Sequence, residues 1–341
     1  MKKVVIPNTD LSVSNICLGA GNFGDILNEE QAHQVLDQYV LAGGNFIDTA
    51  NVYCRWATDD NSSEQYIGKW LKSRNAYQKV IIATKGAHYH LEDPEKTSRV
   101  NKKEVAMDLD QSLLSMGLNN IDLYYLHRDD KQKSVEEIVD FCEEFVKEGK
   151  IRYYAFSNWD LDRAMCALKY AKSKGKTGFV ALSNQYSLAY MEKESNRNLD
   201  ETLSQTDVPY LSWHKKTQIP LISYTSIANG FYEKLQKSGA CRNGILDQEL
   251  LRETMPEKMI RAYVNPCNLK RYEILEERKK EYDYSMIELS LSYLINHTAP
   301  IIPVVSVRST SQLKEVVRSS DIVLPRDMIT KLEECEIIQE S

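Results

Sequence analysis

Long apolar runs are missing from this sequence of 341 residues. Hydrophobic residues make up 42% of the chain, but polar residues interrupt them before any run approaches the length of a transmembrane helix. Near the start, the apolar residues 4–6 follow two lysines and end at Pro7, too soon for the apolar region of a signal peptide. Cys-x-x-Cys pairs are missing too, and seven scattered cysteines are typical of free thiols in a reducing compartment. These absences predict a cytoplasmic protein with no membrane contact.

The sequence also has no excess of positive charge. It contains 43 Lys and Arg residues and 49 Asp and Glu residues, which gives a net charge of −6. Nucleic acid is therefore not expected as a partner, because binding its phosphates requires a basic surface. An anionic cofactor needs only a local positive pocket and stays possible. No G-x-G-x-x-G follows an apolar segment, so the usual dinucleotide fingerprint is not indicated. Without repeats, low-complexity tracts or linkers, residues 1–341 are predicted to form a single domain.

What the chain does contain is an alternation of short apolar segments and amphipathic stretches. The apolar segments are continuous, as in parallel strands buried on both faces. About eight such β–α units predict a closed (β/α)8 TIM barrel. Two irregular regions, 191–216 and 229–283, are expected to form long loops over its C-terminal face. The predicted strands are 45–48, 79–84, 121–126, 151–156, 179–182, 219–223 and 301–304, and the predicted helices are 63–72, 102–116, 134–147, 161–172, 283–296 and 310–318.

Titratable side chains follow three consecutive predicted strands. Asp48, Lys85 and His127 each stand at a strand end, and Tyr53 lies in the loop after Asp48. Alone, each has an ordinary interpretation as a cap, a solvated cation, a structural imidazole or a loop tyrosine. Together they form a catalytic set, since Asp48 would hold an ammonium that lowers the phenol pKa from its usual value of about 10. This combination predicts an acidified tyrosine that protonates a carbonyl oxygen.

The same segments resemble the signatures of the aldo-keto reductase family. Residues 45–53 (NFIDTANVY) are similar to its G-x-x-x-I-D-T-A-x-x-Y motif, and residues 63–68 to its S-E-x-x-I-G helix start. Residues 82–85 and 121–127 resemble the strands that end in the family's lysine and histidine, and residues 149–159 its G-K-I-R…S-N element. The resemblance covers nearly the whole chain, and implies an NADP(H)-dependent barrel enzyme that reduces an aldehyde or ketone, its small-molecule carbonyl substrate.

The resemblance also implies residue roles, with no metal ion among them. Tyr53 is the general acid, Lys85 sets its pKa, Asp48 holds Lys85, and His127 orients the carbonyl. At the cofactor, the carboxamide of the nicotinamide would be bound by Ser157, Asn158 and Gln185, its ring by Tyr224, the 2′-phosphate by Arg308 and Ser309, and the adenine by Gln312 and Glu315. Without the resemblance, residues 157–158 would be a helix cap before Asp160, and Gln185 and Tyr224 core contacts.

Three features depart from the family pattern. Ser306 replaces the usual glycine after the last strand, and residues 224–227 (YTSI) replace Tyr-Ser-Pro-Leu. Residues 55–61 form an insertion after Tyr53. These differences leave the four catalytic candidates intact but bear on the phosphate contacts and the shape of the pocket.

Two other functions remain open at this stage. The barrel could bind the cofactor as a redox sensor or partner subunit, although such a role is favoured by loss of a catalytic residue and all four are present. Alternatively, His88 and His90, with His127 and Asp48, would suit a metal hydrolase. Near the mouth, three aromatic residues favour stacking on a ring or sugar, namely Trp56, Tyr89 and Trp159. Four charged residues favour a polar, hydroxylated substrate, namely Arg55, Arg128, Asp129 and Asp130. The alternative for most of these residues is that they are solvated loop residues.

Overall fold

The strands of the computed structural model are short and mostly buried. The structure describes residues 1–192, 200–242 and 245–340. In chain order the strands are β1 (Lys3–Val5), β2 (Ser12–Ser14), β3 (Cys17–Gly19), β4 (Phe46–Asp48), β5 (Ile81–Gly86), β6 (Ile121–Leu126), β7 (Ile151–Ser157), β8 (Leu182–Ser183), β9 (Leu221–Ser223), β10 (Cys241–Arg242), β11 (Ile245–Leu246) and β12 (Ile301–Val305).

Eight of these strands close into a parallel barrel in the order β12-β3-β4-β5-β6-β7-β8-β9. The register places Asp48 beside Ala83 and Lys85 beside Tyr125, so the carboxyl ends of neighbouring strands lie at the same end of the barrel. Apolar side chains fill the space between the strands and the surrounding helices, including Ile47, Ile82 and Leu126. The predicted (β/α)8 TIM barrel is confirmed.

Helices surround the barrel, and several begin at polar caps that satisfy free backbone N–H groups. Asn101 and Ser134, for example, accept from the third residue of the helices that follow them. The helices are α1 (Glu29–Leu41), α2 (Arg55–Thr58), α3 (Ser62–Arg74), α4 (Lys102–Met116), α5 (Val135–Lys147), α6 (Leu161–Ser173), α7 (Val208–Thr217), α8 (Phe231–Ser238), α9 (Gln248–Thr254), α10 (Glu257–Tyr263), α11 (Pro266–Glu281), α12 (Met286–Asn296), α13 (Thr310–Ser319) and α14 (Arg326–Glu340).

Several segments differ from the sequence prediction. The strand predicted at 79–84 lies two residues later, and the one at 179–182 is reduced to β8. Strand β3 and helices α1 and α14 were not predicted. The two irregular regions leave the barrel after β8 and β9, as expected, but they are partly helical: the first ends in α7 and the second contains α8 to α11. Residues 193–199 of the first region and 243–244 of the second lie outside the described residues.

The N-terminal end of the barrel is covered by the antiparallel β1–β2 hairpin. Ile6, Leu11 and Val13 pack there with the strand residues Phe46 and Tyr125 in one buried cluster. The mouth of the barrel is therefore at its C-terminal end, where polar side chains gather. Of the helices within the described ranges, none has the length and apolar character needed to cross a bilayer.

Candidate active site

The four catalytic candidates come together at the mouth of the barrel. Asp48 ends β4, Lys85 is the penultimate residue of β5, and His127 directly follows β6. Because these strands are neighbours, their ends converge, and all three side chains are buried. Tyr53 reaches the same place from the turn after β4, where its N–H donates to Ala50 O at 3.0 Å.

Lys85 connects the cluster. Its Nζ forms an ion pair with Asp48 Oδ1, donates to Thr49 O at 2.8 Å, and lies 3.4 Å from the hydroxyl of Tyr53. Burial acts to lower the pKa of Lys85, but the charges of Asp48 and Tyr53 and the hydrogen bonds to both together outweigh it, and the pKa rises above its ordinary value. The ammonium is therefore charged at neutral pH, at hydrogen-bond distance from the phenol.

Tyr53 is a weaker acid than the sequence suggested. Burial raises its pKa above the ordinary value, and the nearby charge of Lys85 offsets only part of that increase. The prediction of a phenol with a lowered pKa is therefore wrong, because desolvation disfavours the phenolate. The phenol stays protonated at neutral pH, which is the form that a proton donor requires.

His127 lies beside Tyr53, with ring centroids 5.9 Å apart in an edge-to-face arrangement. Burial, followed by the charges of Arg128, His88 and Lys85, lowers its pKa well below the ordinary value. The imidazole is therefore neutral at pH 7. Within the described residues, its Nδ1 atom has no hydrogen-bond partner. A neutral imidazole beside a protonated phenol can donate a hydrogen bond to a carbonyl oxygen without competing as the acid.

Ser63 and Glu64, at the start of α3, form hydrogen bonds with residues next to Asp48 and Lys85. Ser63 Oγ donates to Ala20 O at 2.9 Å and lies 2.7 Å from the hydroxyl of Thr49. Glu64 accepts from the hydroxyl of Thr84, the residue before Lys85, at 2.5 Å. Burial raises the pKa of Glu64 to about 7. These hydrogen bonds connect α3 to the ends of β4 and β5, and they give the Ser-Glu motif a structural role at this position.

The candidates for contact with nicotinamide lie at the ends of β7, β8 and β9. Asn158, in a left-handed conformation, accepts at Oδ1 from Tyr224 (2.5 Å) and from the N–H of Ser204, and its Nδ2 donates to His127 O. Ser157 Oγ donates to Ser183 O at 2.8 Å. In the part of the chain described, these contacts occupy Asn158 and Ser157, which a bound carboxamide would have to share.

Gln185 differs from them, because its Nε2 atom is buried and has no partner among the described residues. An unsatisfied buried amide donor is costly, and the carbonyl oxygen of a bound amide would satisfy it. The alternative of a helix cap at residues 157–158 is wrong, since Asp160 is the residue that precedes α6.

The candidates for the phosphate end lie after β12. Arg308 is exposed, and its backbone N–H donates to the side chain of Gln312 at 2.8 Å. Ser309 caps α13 by accepting from the backbone N–H of Gln312. Glu315 lies one turn further along α13 and is half-buried. Arg308 thus directly precedes the residue that caps a helix N-terminus, a position that suits binding of a phosphate.

Ser306 lies between the candidates for the phosphate end and the cluster of Asp48, Tyr53, Lys85 and His127. A Cβ atom placed on Gly19 would be only 2.7 Å from Ser306 Oγ, so Gly19 leaves the room that this serine occupies. A Cβ on Gly21 would be 3.9 Å from both Ser306 Oγ and the Tyr53 ring. The hydroxyl of Ser306 and the ring of Tyr53 therefore both border Gly21.

The residues expected to contact substrate divide into two groups. Trp159 is fully buried and stacks on Phe156 with centroids 3.9 Å apart, so its assignment to the mouth is wrong. Asp129 is paired with Arg163 at 2.6 Å. Trp56, by contrast, is exposed beside Tyr53.

A polar network that the sequence did not reveal links the loops after β5, β6 and β8. Arg128 Nη2 lies 3.0 Å from His88 Nε2, and its Nε donates to Thr202 Oγ1 at 2.9 Å. Asp200 accepts from Tyr89 at 2.7 Å. Asp200 and Thr202 come from a polar region without periodicity, so no local signal marks them.

The ring nitrogens of His88 are engaged with protein groups, because Nδ1 also lies 2.8 Å from Tyr89 O. Burial lowers the pKa of His88 to about 4, so this ring is neutral as well. Throughout the described residues, no group of three or more His, Cys, Asp or Glu side chains is placed to hold a metal ion.

The barrel thus holds a buried lysine, a phenol and a neutral imidazole together at its C-terminal mouth. The sequence profile of the aldo/keto reductase family matches residues 15–337. The chain belongs to the aldo/keto reductase family.

Relatives with assigned names are similar over different lengths. An aryl-alcohol dehydrogenase (NADP(+)) of Phanerodontia chrysosporium is 32% identical over 205 residues, 55% of this chain and 52% of the relative. The norsolorinic acid reductase stcV of Emericella nidulans is 26% identical over 97% of this chain and 80% of its own length. The uncharacterized oxidoreductase YrpG of Bacillus subtilis is 24% identical over 97% of this chain and 95% of its own length. The chain spans about half the length of the aryl-alcohol dehydrogenase, and more of the other two.

Proposed function

We propose that this protein reduces an aldehyde or ketone to an alcohol with NADPH, and that Tyr53 is the general acid. The observation that carries the proposal is the position of Lys85 Nζ, paired with Asp48 and 3.4 Å from the Tyr53 hydroxyl. Cys17, Cys54, Cys142 and Cys166 carry free thiols, which supports activity in the reducing cytoplasm.

The proposed reaction divides the work among the four residues. Bound NADPH supplies the hydride for the carbonyl carbon. Tyr53 donates its phenolic proton to the carbonyl oxygen, and Lys85 stabilises the phenolate that remains. Asp48 keeps Lys85 charged and in place. His127, neutral because of its burial, donates a hydrogen bond that orients the carbonyl oxygen toward Tyr53.

The residues present fit NADP(H). The unpartnered Nε2 atom of Gln185 suits the carbonyl oxygen of the carboxamide, with Ser157 and Asn158 at its side. Tyr224 is held by Asn158 at the mouth and would stack on the ring. Arg308 and Ser309 would hold the 2′-phosphate, with Gln312 and Glu315 near the adenine.

A screen of aldehydes and ketones that follows NADPH absorbance tests the proposal directly. We expect oxidation of NADPH with at least one carbonyl compound, and an unchanged rate after exhaustive chelation, because the proposed acid is a phenol. Activity that is abolished by chelation and restored by added zinc would contradict the proposal.

Arg308→Ala should weaken binding of NADPH about ten- to a hundredfold, since one charge-assisted contact is worth that much. The Kd for NADH should change little, because NADH lacks the 2′-phosphate. Fluorescence titration with both cofactors measures the difference. Lys314→Ala, which removes an exposed cation from the helix that follows Arg308, is the matched control. Equal weakening of NADPH and NADH would refute the assignment of Arg308.

A further inference from the structure

One tryptophan of the four is exposed, and all four lie in the described part of the chain. Trp70 and Trp159 are buried and Trp213 is half-buried, whereas Trp56 keeps 53% of its surface exposed. A ring of this size is usually hidden because its burial is favourable. Trp56 belongs to α2, within the insertion after Tyr53, and its ring centroid lies 6.3 Å from that of Tyr53. The exposed ring is therefore next to the proposed acid.

The exposed ring is also held in a fixed orientation. Trp56 Nε1 donates to Asp25 Oδ2 at 3.0 Å, from the loop after β3. Arg55 fixes α2 from the other side, because its Nε donates to Asn51 O at 3.0 Å and its Nη2 to Gln111 Oε1 at 2.8 Å. A ring that is anchored yet exposed loses little conformational entropy when a ligand stacks on it.

The polar side chains around the mouth are already engaged with one another. Arg55 is held as described, and Arg128 contacts Thr202 and His88. Lys96 pairs with Asp200 at 3.0 Å. An anionic or polyhydroxylated substrate would have to break these contacts before using the same groups. A flat, uncharged ligand would need only the face of Trp56.

We infer that Trp56 determines substrate specificity by stacking on a planar, uncharged aromatic group of the carbonyl compound while Tyr53 faces the carbonyl oxygen. This inference rests on the proposed function of the same site. Asp25 acts through Trp56 as a positioning residue, since its carboxylate fixes the plane of the indole.

Benzaldehyde and cyclohexanecarbaldehyde provide the test, because both place a six-membered carbon ring beside an aldehyde and only one ring is planar. Trp56→Ala should lower kcat/KM for benzaldehyde about three- to tenfold, the range that an aromatic contact gives, mainly through KM. Cyclohexanecarbaldehyde should change less than about twofold, since it lacks the stacking face. Trp56→Phe should restore most of the loss, and Asp25→Ala should reproduce part of it.

Other outcomes would overturn the inference. An equal loss with both aldehydes would make Trp56 a structural residue, and a weaker Kd for NADPH would make it part of the cofactor site. A comparable loss with glyceraldehyde would indicate a sugar platform, and one with 4-carboxybenzaldehyde but not benzaldehyde would indicate an anion site.

The inference can also fail separately from the proposed function. If neither the unmodified protein nor any variant reduced an aldehyde, the proposed function would be wrong. Saturation-transfer NMR on the NADPH-loaded protein would still test whether Trp56 serves as a platform for an aromatic ring. Benzyl alcohol should then bind better than cyclohexylmethanol, and Trp56→Ala should remove that preference. Equal binding of the two alcohols to the unmodified protein would refute the platform itself.

Discussion

Tyr53→Phe should lower kcat for carbonyl reduction about 10²–10⁴-fold, the range expected when a general acid is removed. Phenylalanine keeps the ring contacts with Trp56 and His127 and lacks only the hydroxyl. Affinity for NADPH should stay within about twofold of the unmodified protein, because the loss concerns an interaction made in the transition state. Steady-state kinetics with a responsive aldehyde, combined with fluorescence titration of NADPH, separates the two quantities.

A tyrosine at the opposite end of the barrel is the matched control. Tyr77 is exposed in the turn between α3 and β5, so Tyr77→Phe removes the same hydroxyl far from the mouth and should leave kcat unchanged. Near-normal turnover by folded Tyr53→Phe protein would end the mechanism proposed here.

Lys85→Met should cause a loss of kcat comparable to that of Tyr53→Phe, about 10²–10⁴-fold. Burial already raises the pKa of Tyr53, and the charge of Lys85 is the main influence that opposes it. Without that charge the phenolate left after proton donation is less stable, and the barrier rises. The kinetics are measured as before, and a folded Lys85→Met variant with normal kcat would contradict the role of Lys85.

Stability must be separated from catalysis in this experiment. Lys85→Met leaves the carboxylate of Asp48 buried without its cation, which lowers the stability of the protein. Adding Asp48→Asn removes the stranded charge and should recover much of the melting temperature without recovering the rate. The double variant Tyr53→Phe with Lys85→Met should be little slower than either single variant, because residues that act as a unit are not additive.

Most of the fold was predictable from sequence because buried parallel strands are continuous apolar runs. Residues 121–126 were placed correctly for this reason, since the whole segment lies between two neighbouring strands. Strand β3 has only three residues and leaves too little pattern to detect. Helix α1 had a usable signal that was missed: Asn28 and Gln31 form a capping box at its start.

The convergence of Asp48, Tyr53, Lys85 and His127 was predictable because each lies at or shortly after a strand end, and adjacent parallel strands bring their ends together. The direction in which the pKa of Tyr53 is shifted was not predictable, because this pKa depends on burial as well as on Lys85. Trp159 was misplaced because its stacking on Phe156 depends on the twist of the chain after β7. The partners of Arg128 were beyond reach, since Asp200 is 72 residues away in sequence and its contact exists only in the folded barrel.

Helix α2 carries Trp56, the proposed aromatic platform, whereas Tyr53, the proposed acid, lies just before the helix. Left-handed residues bound it on both sides, Cys54 with φ 69° and Asp59 with φ 58°, so the chain leaves and rejoins the common framework at two sharp bends. Tyr53 precedes the first bend, and α3 begins shortly after the second at Ser62. A change confined to this short segment can therefore leave the backbone of Tyr53 in place, so the proposed acid and the proposed aromatic platform can vary independently.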